Sequence, residues 1–108
     1  MTLELAPAIE CFFDAQQRED LEALAACFTQ TARVRDEGQT VNGHAAIKQW
    51  MVAAKAKYHH VAQPLAVSHR DGRIVVTARL TGSFPNSPLD IDHAFELSDG
   101  KIAYLEIG

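Results

Sequence analysis

Hydrophobic and polar positions repeat with one period in the first half of the chain and with another in the second. From Leu3 to Arg18 apolar residues recur at helical spacing, and Leu5, Ile9, Phe12, Phe13 and Gln16 share one broad face. Asp20 suits the cap of a second helix, Leu21 to Phe28, with Leu21, Leu24, Ala25 and Phe28 turned inward. Ala32-Arg33-Val34-Arg35-Asp36 alternates, ends at Glu37-Gly38 and is followed by Gln39-Thr40-Val41, which predicts a short hairpin-like element. Asn42-Gly43 breaks it. A third helix is predicted from His44 to Tyr58, with Ile47, Trp50, Met51 and Ala54 aligned.

After His60 the period becomes two. Val61 to His69 reads as a strand, Asp71-Gly72 as a tight turn, and Arg73 to Phe84 as a second strand. In the latter, Ile74, Val76, Ala78 and Leu80 face one way and Val75, Thr77, Arg79 and Thr81 the other. The two prolines of Phe84-Pro85-Asn86-Ser87-Pro88 mark a loop, because proline cannot donate to a central ladder. Leu89 to Leu97, the turn Asp99-Gly100, and Lys101 to Ile107 complete an antiparallel meander. Helices segregated on one face of such a sheet make an α+β domain.

At 108 residues the chain is one domain, residues 1–108, with 47% hydrophobic and 22% charged content. A net charge of −4 with acids and bases mixed throughout argues against nucleic acid and anionic membrane as partners. No apolar run approaches the ~20 residues of a membrane span, and the first residues lack the charged start and apolar core of a leader. Cys11 and Cys27 have neither metal nor redox spacing, so reduced thiols in the cytoplasm are the simpler expectation, and a secreted protein is the alternative. No metal or other cofactor is expected either. His59 and His60 are adjacent and point to opposite faces of an extended chain, leaving too few convergent ligands for a metal. Ser68 beside His69-Arg70-Asp71 has no strand–elbow–helix context and is not a hydrolase triad.

Several stretches together resemble the SnoaL-like branch of the nuclear transport factor 2-like superfamily. They are Asp20-Leu21-Glu22-Ala23-Leu24, Phe28, Ala32 through Gly38, Gly43 through Trp50, and Asp99-Gly100-Lys101-Ile102 with Leu105. The resemblance covers nearly the whole chain. It implies a cone-shaped curved antiparallel sheet wrapped by three N-terminal helices, a cystatin-like α+β roll enclosing a pocket. The superfamily includes ketosteroid isomerases, polyketide cyclases, an epoxide hydrolase, dehydratases and transport factors, so it implies fold far more than activity.

Asp36 has the inward parity of Val34 and lies where the resemblance places the proton-shuttling aspartate of the isomerases. Partial burial would raise its pKa and make it a usable base; its alternative role is a turn residue bonded to local backbone. A donor is needed opposite such a base, and Ile91-Asp92-His93 resembles the segment that supplies one. Strand alternation disagrees about which residue faces in. Leu89, Ile91, His93, Phe95 and Leu97 form the apolar face, so His93 is the stronger pocket candidate and Asp92 the weaker. Phe12 occupies the position at which the isomerases carry a tyrosine hydroxyl, which argues against a true ketosteroid isomerase.

The large side chains available to line a pocket for a small apolar or aromatic ligand are Phe12, Trp50, Tyr58, His60, Phe84 and Phe95. On the opposite face Thr77, Arg79, Thr81, Asp92, Ala94 and Glu96 suit a self-complementary contact, and a homodimer through that face is expected. Three readings of function follow. One is proton transfer on an apolar carbonyl compound, as in an isomerase, cyclase or lyase, with Asp36 as base. The others are a non-catalytic binding domain for a small hydrophobic ligand and a dimerisation module with a vestigial pocket.

Overall fold

A computed structural model describes residues 4–108. Leu3, where the helical pattern begins, lies outside the described residues. The order is α1 (Pro7–Arg18), α2 (Leu21–Ala26), β1 (Phe28–Asp36), β2 (Gln39–Asn42), α3 (Gly43–Tyr58), β3 (Val61–Arg70), β4 (Arg73–Thr81), β5 (Leu89–Ser98) and β6 (Lys101–Ile107). The strands form one sheet in the order β2-β1-β6-β5-β4-β3, which is an α+β fold with the helices packed on its inner face.

Local chemistry starts and stops each element. Pro7 opens α1, where its missing N–H costs nothing, and Asp20 caps α2 by accepting from the Ala23 N–H at 3.1 Å. The hairpin turns Asp71-Gly72 and Asp99-Gly100 both have two successive positive φ angles, the conformation for which this residue pair is suited. Pro64 sits in β3, the edge strand, and a bulge between Pro64 and Ala66 absorbs Leu65 so that Val67 again faces the core.

Several features depart from the sequence reading. Phe28 does not end the second helix: Cys27 caps α2, and Phe28 opens β1, fully buried. The lengthened β1 then runs parallel to β6, so the sheet is mixed and its hairpins make up the rest. Parallel neighbours need a long crossover, and here the whole of β2 to β5 supplies it. Finally, Cys11 and Cys27 are joined by a disulfide rather than left as thiols. The packing of α1 against α2 brings their Cα atoms to 6.1 Å, within bridging range.

The core is aromatic at its centre. Phe12 meets Phe13, Phe28 and Phe95 edge to face, with ring centroids 5.1 to 5.9 Å apart. Ile9, Leu24, Ile47, Met51, Val76 and Leu105 close around them. β4 stops at Thr81, short of Phe84, because Gly82 comes against the end of α3. A Cβ there would stand 2.5 Å from the Tyr58 carbonyl oxygen, and Ser83 N–H donates to that oxygen at 2.7 Å. Among the described residues no helix is long and apolar enough to cross a membrane.

Candidate functional site

The helices do not fill the inner face of the sheet. A pocket of about 350 Å³ remains between α3 and strands β4, β5 and β6, with Asp36 and Glu37 from the end of β1 at one side. Its walls are apolar, with Ala54, Leu80, Phe84, Leu89, Ile91 and Ile107 among them. Polar groups gather in two places, a rim and an inner end.

The rim is built on the turn after β1 and on α3. Asp36 is half-buried, and its Oδ2 accepts the Trp50 Nε1–H at 3.0 Å. Burial raises its pKa above the ordinary carboxylate value, the Trp50 hydrogen bond acts the other way, and the neighbouring Glu37 charge adds to the rise. The Tyr58 hydroxyl donates to Glu37, and Lys57 lies 3.9 Å from the other Glu37 oxygen. Tyr58 and Phe84 meet edge to face at 5.9 Å.

The inner end is formed by Gln16 of α1, His60 after α3, and His93 of β5, which are 4%, 7% and 2% exposed. His93 stacks on Phe95, with 18° between the planes, and lies 5.5 Å from Phe13. Its Nδ1 is 3.2 Å from the Ile91 carbonyl oxygen, which can only accept, so the proton resides on Nδ1. Burial among aromatic rings holds its pKa down to about 4, and the ring is neutral at pH 7. Gln16 Nε2 is 3.5 Å from His60 Nε2, while Gln16 Oε1 and His60 Nδ1 are sealed in without partners. Burial and the Lys55 charge lower the His60 pKa as well.

The pocket thus brings together Asp36, Trp50, Tyr58, His60, Phe84 and His93. It leaves out three residues expected there. Phe12 and Phe95 are fully buried in the aromatic core, because the sheet closes on α1 at that point and leaves no room beside them. Asp92 is on the outer face, where it accepts from the Thr77 hydroxyl at 2.7 Å; β5 keeps its alternation there, so His93 alone of the pair points in. Gln16 and Glu37 were missed as pocket residues. Gln16 already stood on the apolar face of α1, and a polar side chain in that position was the available signal. Among the described residues no group of three or more His, Cys, Asp or Glu is placed to hold a metal.

The hydrogen-bond inventory restricts the chemistry. The Trp50 N–H is used by Asp36, the Tyr58 hydroxyl by Glu37, and the Gln16 amide faces His60. His93 offers the pocket a nitrogen without a proton. The unused donors of the lining side chains, His60 Nδ1–H and the second Gln16 N–H, lie at the inner end, and the two donors beside Asp36 are already taken.

A mixed sheet packed on one face by three helices, with an apolar pocket between them, defines a pocket-bearing roll of the nuclear transport factor 2-like kind. The chain belongs to the SnoaL-like domain family, which it matches over residues 9–105. It is similar to a candidate polyketide cyclase from Sinorhizobium meliloti, with 38% identity, TM-score 0.92, and 96% of this chain and 95% of that one covered. Two more distant structures share the fold. A protein from Catenulispora acidiphila with a ketosteroid isomerase-like fold, in complex with trimethylamine, is 13% identical at TM-score 0.83, covering 97% and 86%. TerC, co-crystallised with polyporic acid, is 19% identical at TM-score 0.81, covering 94% and 87%. No curated protein matches the chain.

Proposed function

We propose that this chain is a binding protein for a small apolar ligand, held in the pocket against Trp50, Tyr58 and Phe84. The observation that carries this reading is an apolar cavity of about 350 Å³ with polar groups only at its rim and inner end. Such volumes and linings are those of small-molecule sites. The structures of the same fold in complex with trimethylamine and co-crystallised with polyporic acid support a small-molecule occupant. The test is binding of a neutral fluorescent probe, 1-aminoanthracene, to the wild type and to Ala54→Trp, which fills the cavity from α3. Saturable binding in the wild type that the plugged, folded variant loses supports the reading. Equal binding by both removes it.

A second reading has Asp36 taking a proton from an apolar carbonyl compound, with His93 as the other acid–base group. Its support is the half-buried carboxyl and its raised pKa. It ranks second because the donors beside Asp36, the Trp50 N–H and the Tyr58 hydroxyl, are already committed to Asp36 and Glu37 and do not await an enolate. Deuterium uptake by α-tetralone in heavy water tests it: acceleration by the wild type that Asp36→Asn abolishes is the expected result, and a rate indifferent to that change sinks it.

The homodimer through the outer sheet face is also our proposal. That face carries the cross-strand pairs Thr77–Asp92 and Arg79–Asp90, polar groups of both kinds that suit a self-complementary contact. A solution mass of one chain at micromolar concentration would exclude it.

A further inference from the structure

The family resemblance led to the expectation of a hydrogen-bond donor at the inner end of the pocket, and the geometry there has the reverse polarity. Nδ1–H of His93 is committed to the Ile91 carbonyl at 3.2 Å, so the neutral ring carries only a lone pair on Nε2. Moving the proton to Nε2 would set a nitrogen lone pair against the carbonyl oxygen. Protonating both nitrogens would place a cation at a site 2% exposed and packed by Phe13 and Phe95. Nε2 has no protein partner among the described residues. It is also not one of the two side-chain atoms sealed in without a partner, so it opens on the pocket that the ring lines. The lining side chains include two carboxylates, Asp36 and Glu37, and no lysine or arginine.

Resting on the small-molecule reading above, we infer that His93 Nε2 is a hydrogen-bond acceptor for the ligand and selects neutral apolar molecules that present a hydroxyl donor to it. An ether of the same shape buries that nitrogen without a partner. An anion meets a lone pair and two carboxylates in place of donors. An unpartnered buried acceptor costs about 1–3 kcal/mol, so the hydroxyl compound should bind at least about fivefold more tightly than its methyl ether.

Calorimetry at pH 7 with 2-naphthol, 2-methoxynaphthalene and 2-naphthoate provides the test. The expected order is naphthol first, the ether about fivefold or more weaker, and naphthoate weakest. In His93→Phe the preference for naphthol over the ether collapses toward unity while the ether still binds, which also shows that the variant is folded. A second measurement needs no variant: nitrogen NMR of the free wild type should show Nε2 with the shift of an unprotonated nitrogen, moving when naphthol binds. Equal affinity for naphthol and its ether, tightest binding of naphthoate, or a protonated Nε2 overturns the inference and leaves the pocket reading standing. A preference that survives His93→Phe but disappears in Asp36→Asn assigns the acceptor to the rim and overturns it too. Failure of all three probes to bind overturns the small-molecule reading together with the inference.

Discussion

At the inner end of the pocket His93 is 2% exposed and lies against Phe13 and Phe95; at the rim Asp36 is half-buried beside Trp50, Glu37 and Lys57. Both are titratable groups lining one cavity, and burial favours the neutral form of each. For the imidazole that means a lowered pKa, for the carboxyl a raised one. The inner group is fixed by a backbone carbonyl and an aromatic stack, whereas the rim group is held by one indole N–H. The two ends therefore respond to perturbation in opposite senses and by different amounts.

The largest expected effect comes from the wall behind the inner end. Phe12 contacts three other phenylalanines and lies 6.4 Å from His93, and it does not line the pocket. Phe12→Ala should cost about 3–5 kcal/mol of stability, the usual cost of a large cavity in a closed core. Urea denaturation reads this directly. A loss below about 1 kcal/mol would mean that the aromatic cluster yields easily and that the inner end is not the rigid half of the comparison.

Next in size is the response to acid. The folded-state pKa of His93 lies near 4, below its unfolded value of 6.5. The unfolded chain then binds more protons between those values, so this contribution to stability is complete above pH 6.5 and is lost as the pH falls toward 4. At roughly 1.4 kcal/mol per tenfold, the full loss is about 3 kcal/mol. Asp36 runs the other way. Its folded pKa is raised above 3.8, so its contribution is present below that value and is lost as the pH rises through the folded pKa. Stability curves between pH 4 and 7 should therefore flatten in His93→Phe and steepen in Asp36→Asn. Parallel curves for wild type and His93→Phe would show that the ring is not held neutral.

How far the site was legible depends on which residues carried a period. In β5 five alternating apolar positions put His93 inside and Asp92 outside, and the register opposite Val76 and Thr77 agrees. The α+β order followed from the change of period after His60, and the single-turn hairpins from Asp71-Gly72 and Asp99-Gly100. What no local pattern carries is depth. Phe12 and Trp50 are equally plausible pocket residues by spacing, yet the first is sealed and the second lines the cavity, because that depends on where the sheet meets α1. The parallel pairing of β1 with β6 and the Cys11–Cys27 bridge are likewise long-range outcomes. With the thiols paired, the composition argument for a reducing compartment falls away.

The smallest effect sharpens the rim. Trp50→Phe keeps an aromatic ring beside Asp36 and removes the N–H that donates to Oδ2 at 3.0 Å. The lost hydrogen bond and the smaller ring should together cost about 1–2 kcal/mol. The more telling readout is the Asp36 carboxyl itself. The indole N–H favours the charged form while burial opposes it, so removing the donor must move the carboxyl pKa further up. Carbon NMR of the Asp36 carboxyl through a pH titration follows this directly, with His93 as an internal reference at the other end. An Asp36 titration that stays put, or moves down, would mean that solvent already satisfies the carboxylate. The rim would then be an ordinary surface turn rather than one end of a binding site.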